Sequence, residues 1–204
     1  MKKVNKQYQS RWSITKLFPA IIVFFGLLGL LSSVELTAAK INVLKDPNFI
    51  PNCNINPIFS CQSIMSTAQA EIFGMPNSLV GIVMFTALIT IGMTMFFGAK
   101  YNKRFWQLFQ IGALGGLMGV VYLFYQGTYR IGAVCPWCAL TWVSVIAVNV
   151  YLTVWNIKNG FIAVPKKLIS ASRFLEINHF GVLLLIYIVI VCLILKRFWY
   201  YFGA

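Results

Sequence analysis

Five apolar stretches of membrane-crossing length, near 17–39, 78–98, 106–126, 134–155 and 180–198, leave this chain few folds to choose from. Hydrocarbon offers no partner to a backbone N–H or C=O, and an apolar run of about 20 residues satisfies both by becoming a helix. The expectation is therefore an all-α integral membrane protein. A chain that is 59% apolar and only 10% charged is too hydrophobic for a soluble domain. The net charge of +13 suggests nucleic acid at first sight, but the basic residues sit in short tracts between the apolar runs. Tracts placed in this way orient a membrane protein, and no nucleic-acid partner is expected.

The distribution of those tracts sets the topology. Lys2, Lys3, Lys6, Arg11 and Lys16 precede the first run, Lys100, Lys103 and Arg104 follow the second, and Lys158, Lys166, Lys167 and Arg173 follow the fourth. These three segments hold twelve basic residues, against five on the other side: Lys40, Lys45, Arg130, Lys196 and Arg197. By the positive-inside rule the N-terminus is cytoplasmic, and the 40–77 loop, the head of the fourth run and the C-terminus face outward. The basic start, apolar run and small residues Thr37-Ala38-Ala39 also suit a cleaved leader, but the run is long enough to span and reads better as a retained helix. Glu35 and Lys40, near its end, are expected at the water interface. The resulting segments are a basic N-terminus at 1–16, a core at 17–155 that includes the 40–77 loop, a cytoplasmic loop at 156–179, and a fifth helix with a short tail at 180–204.

Within the outward loop, Pro47, Pro51 and Pro57 predict irregular backbone around Cys53 and Cys61. Ser60 is placed to cap a short helix running to about Phe73, closed by Gly74 and stopped before Pro76. Ile64, Ala68 and Ile72 would give it an apolar stripe against the membrane surface, making the loop a lid. In the third run Gly112, Gly115, Gly116 and Gly119 form two overlapping G-x-x-x-G patterns, which predict close helix packing. Phe198-Trp199-Tyr200-Tyr201, after the fifth run, reads as an interfacial aromatic belt.

The chemistry lies in the cysteines: Cys53, Cys61, Cys135, Cys138 and Cys192. Cys135-Pro136-Trp137-Cys138 opens an apolar helix, so both thiols share one face, and the free N–H groups of the helix start favour a thiolate. Haem attachment would need His at position 139, which is Ala. Zinc would need both pairs reduced, with unusual spacing in the first. A structural disulfide across one turn closes almost no loop and stabilises little. Both pairs fall on the oxidising side of the membrane, one on a loop and one at a helix head. That arrangement suits a relay passing two electrons by disulfide exchange to a lipid-soluble acceptor such as a quinone.

Taken together, Cys53-x7-Cys61, the run Phe73-Gly74-Met75-Pro76-Asn77-Ser78-Leu79-Val80-Gly81 and Cys135-Pro136-Trp137-Cys138 resemble the vitamin K epoxide reductase family in its bacterial form, over about residues 17–155. Other quinone-coupled thiol oxidases carry the C-x-x-C before the wider pair, and here the order is reversed. The resemblance implies a four-helix bundle around a quinone of ubiquinone or menaquinone type, with the fifth helix packed outside, in a bacterial inner membrane. It also implies that Cys53 and Cys61 exchange with a thioredoxin-fold carrier, that Cys135 takes electrons from the loop, and that Cys138 faces the quinone. Asn77 maps onto an Asn that hydrogen-bonds the quinone in some members. Thr67 stands where the family has Ser, and Trp142 where some members have Tyr, a change that replaces a donor-acceptor by a donor only. Many bacterial members carry a thioredoxin-like domain after the fifth helix; this sequence ends at Ala204, so the carrier is expected in trans.

Cys135, Cys138, Trp142, Val145 and Asn149 recur at helical spacing, which by itself predicts ordinary core, with Asn149 as interhelical glue. Cys192 reads as an inert buried thiol that faces lipid or a neighbouring helix, and His179 as having no catalytic part. Two further functions compete with this reading. One is a quinone or quinone-epoxide reductase driven by a dithiol partner. The other is a transporter or channel with structural cysteines, which should show paired intramembrane charges or broken helices; only Glu35 and the glycine cluster point that way. The topology predicts that a membrane-impermeant thiol reagent, added to intact cells after reduction, labels Cys53 or Cys61. Labelling that appears only after the cytoplasmic face is opened would overturn it.

Overall fold

The structure is a computed structural model that describes residues 14–46, 48–72 and 74–202. Of the features singled out above, Lys2, Lys3, Lys6, Arg11, Pro47 and Phe73 lie outside the described residues. Among the described residues, five helices are long and apolar enough to cross a membrane. They are α1 (Ile14–Lys45), α3 (Asn77–Phe96), α4 (Lys103–Tyr125), α5 (Pro136–Lys158) and α6 (Ile169–Arg197). Two short α-helices accompany them among the described residues: α2 (Cys61–Met65) in the loop between α1 and α3, and α7 (Trp199–Phe202) after α6.

α1 packs against α3 and α5, and α5 also contacts α4 and α6, so α6 stands outside a four-helix bundle as expected. The close packing does not occur where the G-x-x-x-G patterns predicted it. A Cβ on Gly112, Gly115 or Gly119 would meet nothing within 4 Å, and one on Gly116 would only touch Val145 at 3.9 Å. The tight contacts belong to α1 and α3. A Cβ on Gly29 would fall on the ring of Phe85, one on Gly26 would lie 2.8 Å from Ile89, and one on Gly81 would strike the hydroxyl of Ser33. Small residues permit close approach without saying which surface approaches. α3 and α4 barely touch, and the glycines of α4 face the gap between them.

α4 and α5 are joined by amides within the bundle. Asn149 Nδ2 donates to the Ala113 carbonyl (3.0 Å), and Asn156 Nδ2 donates to Gln110 Oε1 (2.9 Å). The role of Asn149 as interhelical glue is thus observed. Stacked and edge-on rings of Phe18, Trp106 and Trp155 fill the end of the bundle away from the cysteines.

Element boundaries differ from expectation in the loop and at the start of the last long helix. The predicted 60–73 helix stops at Met65, and Ala68–Glu71 forms a separate 3-10 turn. Thr67 bonds its hydroxyl to the Ile64 carbonyl (2.7 Å) and takes extended backbone, the competition by which Ser and Thr end helices. Ile64 packs on the cysteine cluster while Ile72 is exposed, so the anticipated continuous stripe does not form. Ser60 does cap α2, accepting from Ser63 N at 3.2 Å, and Gly74 has the positive φ (72°) expected of a terminating glycine. At the other end, α6 begins at Ile169, well inside the predicted 156–179 loop, and Asn178 breaks it (φ −110°, ψ 26°). Arg173 and Glu176 kept this first part out of the apolar run, but charge does not forbid a helix. In the aromatic belt Trp199, Tyr200 and Tyr201 are exposed and Phe198 is fully buried; Cys192 is exposed on α6, the lipid-facing one of the two placements expected for it.

The α1–α3 seam predicts that Gly29→Ala destabilises the bundle by about 1–3 kcal/mol, the usual range for overpacking a filled interface. Gly115→Ala, with open space before it in the middle of α4, should be neutral or stabilising, by up to about 1 kcal/mol. Unfolding of the purified protein in detergent, followed by helical signal, measures both.

Candidate redox site

The approach to α5 brings the two cysteine pairs together. α4 runs on into a wider turn at Gln126–Ile131, which Gly132 closes with φ 77°. Ala133 and Val134 then lead to Cys135, and Val134 donates its N–H to the Ile58 carbonyl (2.7 Å). Phe59 and Val134 form a parallel bridge, so the redox loop is hydrogen-bonded to the backbone just ahead of the helix pair. Two asparagines shape the loop itself. Asn56 Oδ1 accepts from Ile58 N (3.0 Å) and Phe59 N (2.7 Å), turning the chain after the first cysteine. Asn54 Oδ1 accepts from the Ser60 hydroxyl and from Gln62 N, both at 3.1 Å, tying the first residues of α2 back beside Cys53.

Cys53 and Cys61 are joined in a disulfide, while Cys135 and Cys138 are free thiols. Cys135 Sγ lies 3.1 Å from Cys61 Sγ, across 74 residues of sequence. Cys135 is the N-cap of α5, and its sulfur accepts from the backbone N–H of Cys138 at 3.3 Å. Its thiol is held below the ordinary value of 9.0, chiefly by a hydrogen bond from the Cys138 side chain and further by the N–H groups of Cys138 and Trp137, with burial working against them. The site therefore presents a nucleophilic sulfur directly against one sulfur of a disulfide, the arrangement that thiol–disulfide exchange requires. Cys61 is the loop sulfur that can be reached, and Cys53 is the distal one.

Below the sulfurs lie two cavities with shared walls. The smaller, about 130 Å³, is bounded by Cys135, Cys138, Thr141, Trp142, Asn77 and Lys40, among others. The larger, about 910 Å³, occupies the gap between α3 and α4 and is bounded by the four α4 glycines on one side and by Met84 and Leu88 on the other. Asn77, Gly81, Val120, Leu123 and Thr141 border both, so an apolar trough runs from Cys138 towards the middle of the bundle. A mostly apolar cavity of several hundred Å³ with a few polar groups at one end suits a ring with a long apolar tail.

The three residues assigned to a quinone by resemblance are placed differently from one another. Trp142 is buried, faces the edge of Phe124 at a ring distance of 5.4 Å, and borders the smaller cavity one turn below Cys138. Asn77 borders both cavities, but its amide already clasps the end of the loop. Nδ2 donates to the Gln69 carbonyl (2.7 Å) and Oδ1 accepts from Ile72 N (3.1 Å). Thr67 is not among the wall residues, and its hydroxyl is taken by the Ile64 carbonyl. Sequence reasoning missed three contributors. Lys40, assigned to the interface, reaches the Met65 carbonyl (2.8 Å) and Glu71 (2.9 Å); Asn54 and Asn56 organise the loop. The asparagines were detectable as turn formers, whereas Lys40 carried no local signal. Among the described residues, no group of three or more His, Cys, Asp or Glu side chains could hold a metal.

Among known protein families, residues 20–153 match the vitamin K epoxide reductase family. No curated protein matches the chain. The matched span runs from the early turns of α1 to near the end of α5 and takes in both cysteine pairs and both cavities. Members of that family are oxidoreductases of quinone-linked thiol chemistry, built as helical membrane proteins. With four cysteines gathered at one end of such a bundle, this chain belongs to the vitamin K epoxide reductase family.

Proposed function

We propose that this protein is a quinone-dependent thiol oxidase that makes disulfides in a soluble thioredoxin-fold carrier. The observation that carries the reading is the 3.1 Å approach of Cys61 to Cys135, with Cys138 on the wall of an apolar cavity. A carrier dithiol reduces the Cys53–Cys61 disulfide and leaves oxidised. Cys61 thiolate then attacks Cys135 of a Cys135–Cys138 disulfide, and Cys138 departs as thiolate. Cys53 resolves the Cys61–Cys135 mixed disulfide, restoring the loop disulfide and leaving the helix pair reduced. The arrangement described above, loop oxidised and helix pair free, corresponds to the product of that exchange. A bound quinone of ubiquinone or menaquinone type would accept the two electrons and two protons of the helix dithiol.

Asn77, Thr141 and Trp142 are among the polar side chains that border the cavity beside Cys138, and the α3–α4 trough is the place for the tail. The N–H contacts at Cys135 hold charge on the sulfur that exchanges, and the packing of α2 over it keeps water from the mixed disulfide. Direction follows from potentials. Common quinones are far more oxidising than protein dithiols, and each 30 mV is worth about 1.4 kcal/mol for a two-electron couple. The basic tracts support an orientation with the N-terminus in the cytoplasm and the cysteines on the periplasmic face of a bacterial inner membrane.

Purified protein with quinone should oxidise a reduced thioredoxin-fold carrier catalytically, without nucleotide or metal, at one quinone per disulfide. Absorbance of the quinone and titration of the carrier thiols follow the two together. Cys138→Ser should bring quinone reduction down to the uncatalysed rate while a Cys61–Cys135 mixed disulfide accumulates, visible as a shifted peptide pair by mass spectrometry. Cys192→Ser, on the outer face of α6, should leave turnover unchanged. Carrier thiols lost only at the uncatalysed rate, with the protein still helical, would show the oxidase reading to be wrong.

A further inference from the structure

The cycle proposed above makes two demands on the loop that one position cannot meet. Internal exchange needs Cys61 on Cys135, which is the arrangement described. Exchange with a soluble carrier needs an accessible loop sulfur, yet Cys53 is 7% exposed and Cys61 is 0% exposed. The loop must therefore be held down for one step and released for the other. Its first half is held by backbone, through Val134 N to the Ile58 carbonyl and the Phe59–Val134 bridge. Its second half, which carries Cys61, is held by side chains.

Lys40 is central to that second set. From α1 its ammonium donates to the carbonyl of Met65, the last residue of α2, and pairs with Glu71 at the end of the following 3-10 turn. It is the only ion pair among the described residues. α2 is a five-residue helix whose first residue is Cys61, so restraining the Met65 carbonyl restrains the sulfur at the opposite end of a stiff turn. The side chain of Lys40 is 15% exposed, and its charge is already engaged by a carboxylate and a carbonyl. That use of its hydrogen bonds favours holding the loop over acting on a ligand.

We propose that Lys40 is a positioning residue, a latch that seats Cys61 against Cys135 and whose release exposes the Cys53–Cys61 disulfide to the carrier. This rests on the oxidase reading for its purpose but not for its test. In a Cys53→Ser/Cys138→Ser background one thiol remains on each pair, and the rate of Cys61–Cys135 disulfide formation under a mild chemical oxidant reports their juxtaposition without quinone or carrier. Adding Lys40→Met should slow that cross-link at least about tenfold, since displacements near 1 Å carry penalties of that order or more. Lys40→Arg, which can span the same two acceptors, should restore most of the rate. In the otherwise unaltered chain, Lys40→Met should act with the opposite sign on access, speeding reduction of Cys53–Cys61 by a soluble thiol several-fold. During carrier oxidation kcat should fall while KM for quinone stays constant.

Equal cross-linking rates in Lys40→Met and its parent overturn the proposal, as does equal impairment by Lys40→Met and Lys40→Arg. If Lys40→Met does not fold, Glu71→Gln should show both signs at smaller amplitude, and no change in either rate there also overturns it. Because the cross-link and the reduction assay use only chemical reagents, a latch that holds in a protein that fails to reduce quinone would refute the oxidase reading alone.

Discussion

The site depends on one short piece of backbone pairing, the contact between Ile58-Phe59 of the loop and Val134 ahead of α5. A loop leaving α1 has many ways to lie across the end of a helix bundle, and a disulfide within it removes few of them. The Val134 N–H, buried and unable to find water, must be bonded, and the Ile58 carbonyl satisfies it at 2.7 Å. Once that bond and the bridge are made, α2 follows within a few residues, and Cys61 arrives at Cys135. Gly132 contributes by taking a left-handed conformation, φ 77°, that ends the wide turn and aims the chain back at the loop.

Glycine is used in two opposite ways in this bundle. On α1 and α3 it removes side chains so that two helices can touch, and the seam through Gly29 and Gly81 leaves no space for a Cβ. On α4 it removes side chains so that nothing touches, and the stripe from Gly112 to Gly119 borders a cavity of about 910 Å³ open between α3 and α4. The first use makes a rigid pair that carries Lys40 and Asn77 at the cysteine end of the bundle. The second leaves room beside the helix pair for an apolar guest. Amides deeper in the bundle, Asn149 and Asn156, keep α4 on α5 despite that gap.

The cysteine cluster and the apolar cavity meet at Cys138, which stands on the cavity wall a single helical turn from the sulfur that faces the loop. Electron transfer through sulfur needs contact, and the helix supplies it by geometry alone, because residues three apart share a face. The loop side is held by weaker bonds, Lys40 to Met65 and Glu71 and Asn77 to Gln69 and Ile72. The helix pair is thus fixed by helix geometry, whereas the α2 end of the loop is fixed by side chains, the difference on which the proposed relay rests.

Hydropathy alone determined the five spans, because burying backbone in hydrocarbon permits only helices of that length. The placement of Cys135 and Cys138 on one helical face, the cap at Ser60 and the turn at Gly74 were also legible, since each follows from contacts within a few residues. Tertiary structure decided the rest. Which loop cysteine meets Cys135, why Lys40 matters, why Thr67 turns away from the cavity and which glycines are packed all depend on how helices are rotated about their axes and where the loop docks. Hydropathy reports depth in the membrane but not rotation, and the contact between Cys61 and Cys135 joins residues 74 positions apart. A local pattern carries no trace of such a partner, because the energy that selects it appears only when both segments are folded and facing each other.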